Sequence, residues 1–290
     1  MPRAPRCFTL TADHVALLRK RVDAHKYDHG HALILSGGLG RTGAARLAAR
    51  AALRIGAGLV TLAVPQAAIP EVASQITAIM LRPLGAPGEA QAMLADLLSD
   101  RRITAICLGP GLGLGADMAA LVATVLRDGR SCVLDADALT LLAQDKALMH
   151  ALHPACVLTP HDGEFARLCP ELADDLDDLA TRPAAVRAAA ARFGCNVLLK
   201  GPATLLAGVD GRLSVHPAAQ DGGRAWLATA GSGDVLAGLV TGLLARGLGP
   251  QQAADLAICL HARAAERFGP GLIAEDLPDL IPDVLRSLSV

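Results

Sequence analysis

"WLATAGSGDVLAGLVTG", residues 226–242, places a run of small residues and a single carboxylate, Gly231-Ser232-Gly233-Asp234, where an apolar helical pattern begins. A helix start leaves its first N–H groups without intrahelical partners and adds partial positive charge from the dipole, so it holds an anion well. Glycine lets the backbone approach a phosphate. Asp234, on the first turn, lies within reach of a hydroxyl held beside that phosphate and can take its proton. Taken alone, G-x-G-D is more often an ordinary glycine turn followed by a helix-favouring acid. The surroundings decide between the two.

Outward from this point, apolar runs bounded by Gly or Pro recur at 31–38, 58–65, 103–111, 131–137, 155–161 and 195–201, with helical stretches between them. Most are continuous rather than alternating, as expected of strands covered on both faces of a parallel sheet. RTGAARLAARAALRIGA (41–57) reads as an alanine-rich helix whose small face packs closely on the sheet. The whole is repeated βαβ, an α/β fold. After residue 200, ATLLAG and GRLSVHP flank Val209-Asp210-Gly211, which predicts an antiparallel edge hairpin. Residues 233–246, 251–268 and 275–287 then read as three helices.

In an open parallel sheet, ligands bind at the carboxyl ends of the strands. That rule gathers Ser36-Gly37-Gly38, Gly109–Gly113, Asp135-Ala136-Asp137, Thr159-Pro160-His161 and Lys200-Gly201 into one crevice. The glycine loops 36–45 and 109–115 fit either a ligand cradle or tight strand-to-helix turns. His161 is placed at the crevice, with ligand contact weighed above helix capping. Lys200 could neutralise a nucleotide phosphate, although a strand-end lysine is usually just solvated. Asp135 and Asp137 could hold Mg²⁺ beside phosphate oxygens, or Asp137 could cap the following helix. The histidines and serines show no metalloprotease or nucleophile-elbow spacing, which argues against zinc hydrolases and hydrolytic triads.

Composition narrows the partners. Of 290 residues, 52% are hydrophobic and 19% charged, with a formal net charge of −1. Such a balance, with no basic run, argues against nucleic acid or an anionic membrane. The seven cysteines are dispersed and never form C-x-x-C. They read as free thiols of a reducing compartment, and with no signal-like or membrane-length apolar run the expected location is cytoplasmic.

Taken together, these segments resemble the ADP-dependent NAD(P)H-hydrate dehydratase family of the ribokinase-like superfamily. The motifs run in the family's order: SGGLGRTGAARLAARAALRIGAG, LGPGLG, VLDADAL, LTPHDGEFARL, LLKGPATLL and ATAGSGDVLAGLVTGLLARG. The resemblance implies a three-layer ribokinase-like fold, with a mostly parallel sheet, helices on both faces and an antiparallel edge hairpin. It covers 1–290 as a single domain, 1–24 being an N-terminal helical extension. It further implies repair of NADH or NADPH whose nicotinamide ring has gained water. ADP would phosphorylate the hydroxyl of the S-epimer, and phosphate, a far better leaving group than hydroxide, would depart with AMP as the other product.

By resemblance, Asp234 is the catalytic base, and Gly231, Ser232 and Gly233 form the anion loop. Lys200, Gly201, Pro202, Ala203, Thr204 and Gly233 bind nucleotide, while Ala44, Gly113, His161 and Asp234 hold the hydrated dinucleotide. Mg²⁺ is the implied cofactor, its ligands left open. A homo-oligomer, as a tetramer, and a separate epimerase for the hydrate are also implied. Three departures stand out from the family pattern: Asp162 after the T-P-H motif, Tyr27-Asp28-His29-Gly30, and Trp226. Asp162 is expected to weaken anion binding. The competing readings are a hydroxyethylthiazole- or hydroxymethylpyrimidine-type vitamin kinase and a non-catalytic nucleotide sensor.

Overall fold

A computed structural model describes residues 4–86, 88–217 and 223–290. Its strands are β1 (Arg6–Cys7), β2 (His31–Leu35), β3 (Leu59–Val64), β4 (Met80–Pro83), β5 (Ala105–Leu108), β6 (Ser131–Leu134), β7 (Cys156–Leu158), β8 (Asn196–Leu199), β9 (Thr204–Ala207) and β10 (Leu213–His216). They form one sheet in the order β1-β10-β9-β8-β7-β6-β5-β2-β3-β4. The pairs from β4 through β8 are parallel, and β8, β9 and β10 pair antiparallel.

Each apolar run named above contains a strand, because residues with no polar face are stable only where helices cover both sides. One core layer joins the sheet to the helices Gly43–Arg54, Ser232–Ala245, Pro250–Phe268 and Asp276–Ser287. The other joins it to Ala116–Asp128, Ala136–Gln144 and Arg182–Phe193. The chain builds outward from β2 to β3 and β4, then returns to β5 on the other side of β2. This switch point opens a crevice between the loops after β2 and β5.

Two short strands, β1 and β4, add to the expected layout. The antiparallel hairpin β9–β10 forms at one side of the sheet as expected, its turn closed by Gly208 N–H donating to Arg212 O at 2.9 Å. Strand β1 pairs outside it in parallel. The segment 1–24 is accordingly not only helical: within it, β1 precedes a helix at Ala12–Leu18. The edge strand β4 was not expected, because Arg82 and Pro83 interrupt its apolar pattern.

The alanine-rich helix Gly43–Arg54 also packs differently from expectation. Its small face meets the helix Ser232–Ala245 more than the sheet. A Cβ at Gly238 would lie 2.1 Å from Ala48 O, and one at Gly242 would lie 2.4 Å from Ile55 Cγ2 and 2.7 Å from Ala52 O. The two backbones thus touch without side chains between them, which sets the first turns of both helices side by side.

Alanine ordinarily favours a helix over glycine by about 1 kcal/mol. At Gly238 the backbone of Ala48 cannot move aside, so Gly238→Ala should instead destabilise by about 1–3 kcal/mol in urea or thermal unfolding. A stabilised Gly238→Ala variant would contradict this packing.

Candidate active site

The helix Ser232–Ala245 begins at Gly231, whose φ of +89° lies in the left-handed region. A Cβ there would also lie 2.8 Å from both Leu47 Cδ1 and Ala274 Cβ, so glycine is required twice over. The turn aims the first N–H groups of the helix at the crevice. Ser232 is buried, with its hydroxyl 3.4 Å from His261 Nε2. Burial pushes His261 down to about 4, so its ring is neutral and can accept that bond. The Ser232 side chain therefore braces the loop from behind, leaving backbone to face an anion.

Beside this loop, three acids, Asp135, Glu164 and Asp234, bear on one ammonium. Lys200 Nζ, at the end of β8, lies 2.8 Å from Asp135 Oδ1 and 3.7 Å from Glu164 Oε2. Burial opposes the Lys200 charge, but Asp135 and Glu164 outweigh it and pull the pKa up. A Cβ at Gly233 would lie 3.3 Å from Lys200 Nζ, so the ammonium reaches the anion loop itself. Lys200 is thus a built-in counter-charge rather than a solvated strand end.

Asp234 is pushed up from 3.8 to about 7. Burial is the first cause and Asp135 the second; Lys200 partly offsets them, and Glu164 and Asp137 add repulsion. A carboxyl held near neutrality can both accept and release a proton at physiological pH.

The remaining walls come from the strand-end loops. Asp137 does not cap its helix; its Oδ2 accepts from Gly113 N–H at 2.7 Å and fixes the glycine loop 109–113. Between the two acids, Ala136 has φ +45°, a left-handed conformation that costs about 1 kcal/mol or more and turns the chain so sharply that Asp135 and Asp137 both face the site. A Cβ at Gly37 would lie 1.7 Å from Gly111 O, and one at Gly111 3.6 Å from Ala44 Cβ. These glycines therefore serve loop-on-loop packing, and they bring Ala44 to the crevice. A groove of about 890 Å³ runs along the helix Gly43–Arg54, with Arg46, Arg50 and Arg54 on its wall.

His161 caps the helix Asp162–Leu168, the role weighed lower from sequence. Its Nδ1 accepts from Glu164 N–H at 3.3 Å while Glu164 Oε2 accepts from His161 N–H at 2.9 Å. Its Nε2 lies 3.5 Å from Glu164 Oε1, and the side chain stays 56% exposed. One motif thus holds His161 at the rim and Glu164 against Lys200.

Gly201, Pro202 and Ala203 turn from β8 into Thr204 at the start of β9. Arg182, missed in the sequence, stands there: a Cβ at Gly201 would lie 2.9 Å from its Nη2, and its guanidinium binds Asp162 through both nitrogens. The Asp162 charge is therefore matched, contrary to the expectation that it weakens anion binding. Tyr27–Gly30 precedes β2, at the end of the sheet away from the crevice, so that departure does not touch the site. Trp226 is half exposed and lines a separate pocket of about 470 Å³ with Thr229 and Gly271–Ile273.

The parallel sheet, its two helical layers and the glycine–aspartate helix start define a ribokinase-like protein. A family model for NAD(P)H-hydrate dehydratase matches residues 32–285, and the chain belongs to that family. It is 38% identical over 282 residues to the bifunctional NAD(P)H-hydrate repair enzyme Nnr of Moorella thermoacetica, covering 94% of this chain and 52% of that one. Thus the chain spans about half the length of the bifunctional relatives. Against the ADP-dependent (S)-NAD(P)H-hydrate dehydratase of Neisseria meningitidis it is 38% identical over 251 residues, covering 84% of this chain and 79% of that protein. The ADP/ATP-dependent NAD(P)H-hydrate dehydratase of Bacillus subtilis, co-crystallised with ATP/Mg2+, superposes with a TM-score of 0.79 at 28% identity, covering 96% and 97% of the two chains.

The raised pKa of Asp234 has a consequence for stability. Between its unfolded value of 3.8 and its folded value of about 7, the folded protein binds more protons than the unfolded chain, so this group lowers stability as pH rises through that window. Asp234→Asn should melt several degrees higher than the parent above pH 7 and lose that advantage toward pH 4. An equal effect at both ends of the range would mean that Asp234 is an ordinary exposed carboxylate.

Proposed function

We propose that this protein dehydrates the S form of hydrated NADH or NADPH with ADP as phosphoryl donor, releasing AMP, phosphate and the restored dinucleotide. The observation that carries the reading is the near-neutral carboxyl of Asp234 on the first turn of a helix that presents a glycine anion loop. Asp234 takes the proton of the ring hydroxyl as that oxygen attacks the terminal phosphoryl group of ADP. The backbone N–H groups at Gly233 and Asp234, with Lys200 beside them, stabilise the charge on the transferring group. Phosphate then leaves as the ring nitrogen donates its electron pair, and loss of a proton from the neighbouring ring carbon to solvent forms the double bond of the restored dinucleotide. Ala44, Gly113 and His161 hold the hydrated dinucleotide; Lys200, Gly201, Pro202, Ala203, Thr204 and Gly233 hold the nucleotide.

The donor set also fits Mg²⁺, which prefers carboxylate and phosphate oxygens. Asp135 and Asp137, on either side of Ala136, offer such oxygens at the end of β6. Bound there, the ion would neutralise phosphoryl oxygens. The family match over residues 32–285 favours dehydration over a vitamin kinase, whose product would keep its phosphate. Assembly as a homotetramer and a partnership with a separate epimerase rest on the family resemblance. Free thiols at all seven cysteines suit a reducing compartment such as the cytoplasm, and no helix among the described residues is long and apolar enough to cross a membrane.

The test follows absorbance at 340 nm while the protein, Mg²⁺ and ADP act on prepared NADH hydrate, with ATP and nucleotide-free controls. Recovery with matching AMP release is expected, with kcat/KM rising as pH passes through about 7 and Asp234 loses its proton. Asp234→Asn should retain ADP binding and lose about 10²–10⁴-fold in kcat. No recovery with either nucleotide, from folded protein that binds nucleotide, would overturn the reading.

A further inference from the structure

The opposite end of the sheet carries a cluster that this chemistry does not use. Cys132 of β6 and Cys156 of β7 are in-register neighbours on adjacent parallel strands, both fully buried. Their sulfurs are 3.5 Å apart, and the Cys132 thiol points at the Cys156 sulfur. His153, in the loop leading into β7, completes the group: one ring nitrogen and the two sulfurs all lie within 4.8 Å of one another. The His153 side chain is hydrogen-bonded to Cys156, while its Nε2 is buried without a hydrogen-bond partner among the described residues, so one ring nitrogen is left unaccounted for by the protein alone. Two sulfurs bound to one tetrahedral cation at ~2.3 Å would be ~3.8 Å apart, close to the spacing already present.

We propose that Cys132, Cys156 and His153 form a binding site for one thiophilic d¹⁰ cation, Zn²⁺ or Cu⁺. Two thiolates and an imidazole are a soft donor set that such ions select over Mg²⁺. Three protein donors suit three-coordinate Cu⁺, or Zn²⁺ completed by one solvent molecule. Binding releases the two thiol protons to solvent, the imidazole entering neutral, so uptake strengthens as pH rises. The cation would pin the loop before β7 to β6. Cys132 lies three residues, about 10 Å, from Asp135 at the other end of β6, so the site stands apart from the crevice.

The experiment uses full-length, reduced, metal-free protein carrying Cys7→Ser and Cys259→Ser, which removes the cysteines that are not fully buried. Titration with Cd²⁺, read by its thiolate charge-transfer absorption, should saturate at one equivalent. Separate arms with Zn²⁺ and with Cu⁺ against a chromophoric chelator decide between the two ions. Cys156→Ser and His153→Ala should each weaken binding by more than about tenfold and abolish the rise in melting temperature that the cation gives the parent. Should Cys156→Ser fail to fold, His153→Ala, in a half-buried loop, decides alone. Folded protein that takes up no cation, variants that bind as the parent does, or a Cys132–Cys156 disulfide formed without uptake would each overturn the proposal.

Discussion

The contact of Gly238 and Gly242 with the backbone of Ala48 and Ala52 governs where everything else can stand. At Gly238 the helices touch backbone to backbone and have little freedom to slide, because the atom that faces it is the Ala48 carbonyl and not the end of a flexible side chain. Their first turns are thereby held together, with Gly231 against Leu47. The same economy of side chains continues in the loops, where Gly37 meets Gly111 and Gly109 meets Asp135 across distances that admit no Cβ. The alanine and glycine richness of the chain is thus a structural requirement of the crevice and not low complexity.

Onto that frame the sheet delivers charge. Strand ends of β6 and β8 and the capped helix after β7 place Asp135, Lys200 and Glu164 together, and the helix start adds Asp234. Lys200 can balance only one of these acids. It is drawn to Asp135, which leaves Asp234 to absorb the remaining repulsion and the cost of burial by holding its proton to near neutrality. Removing Lys200 would leave Asp135 charged and buried, a change that typically costs about 3–5 kcal/mol. The site's proton chemistry and its largest local electrostatic strain therefore have the same origin.

Much of this was legible in the sequence, for identifiable reasons. Continuous apolar runs marked the buried parallel strands, and the strand-end rule collected residues as distant as Ser36 and Lys200 into one crevice. Asp234 stood out because a lone acid follows a glycine turn at a helix start. What escaped was long-range or depended on an absent side chain. A glycine inside a helix, such as Gly238, reads only as a weak helix former until its neighbour is known. Arg182 gives no signal until its partners Asp162 and Gly201 meet it in space. Two residues, Arg6 and Cys7, are too few to show strand periodicity, and their place is set by pairing to β10. His161 does belong to the crevice rim, but capping geometry holds it there, an interaction that the spacing to Glu164 encoded.

The fold itself, before any ligand binds, raises the Asp234 carboxyl to near neutrality. Carbon-13 NMR of aspartate-labelled, nucleotide-free protein measures this directly, with the Asp234 carboxyl signal assigned by its loss in Asp234→Asn. A titration midpoint at about 7 is expected. A midpoint close to the ordinary aspartate value of 3.8 would contradict it.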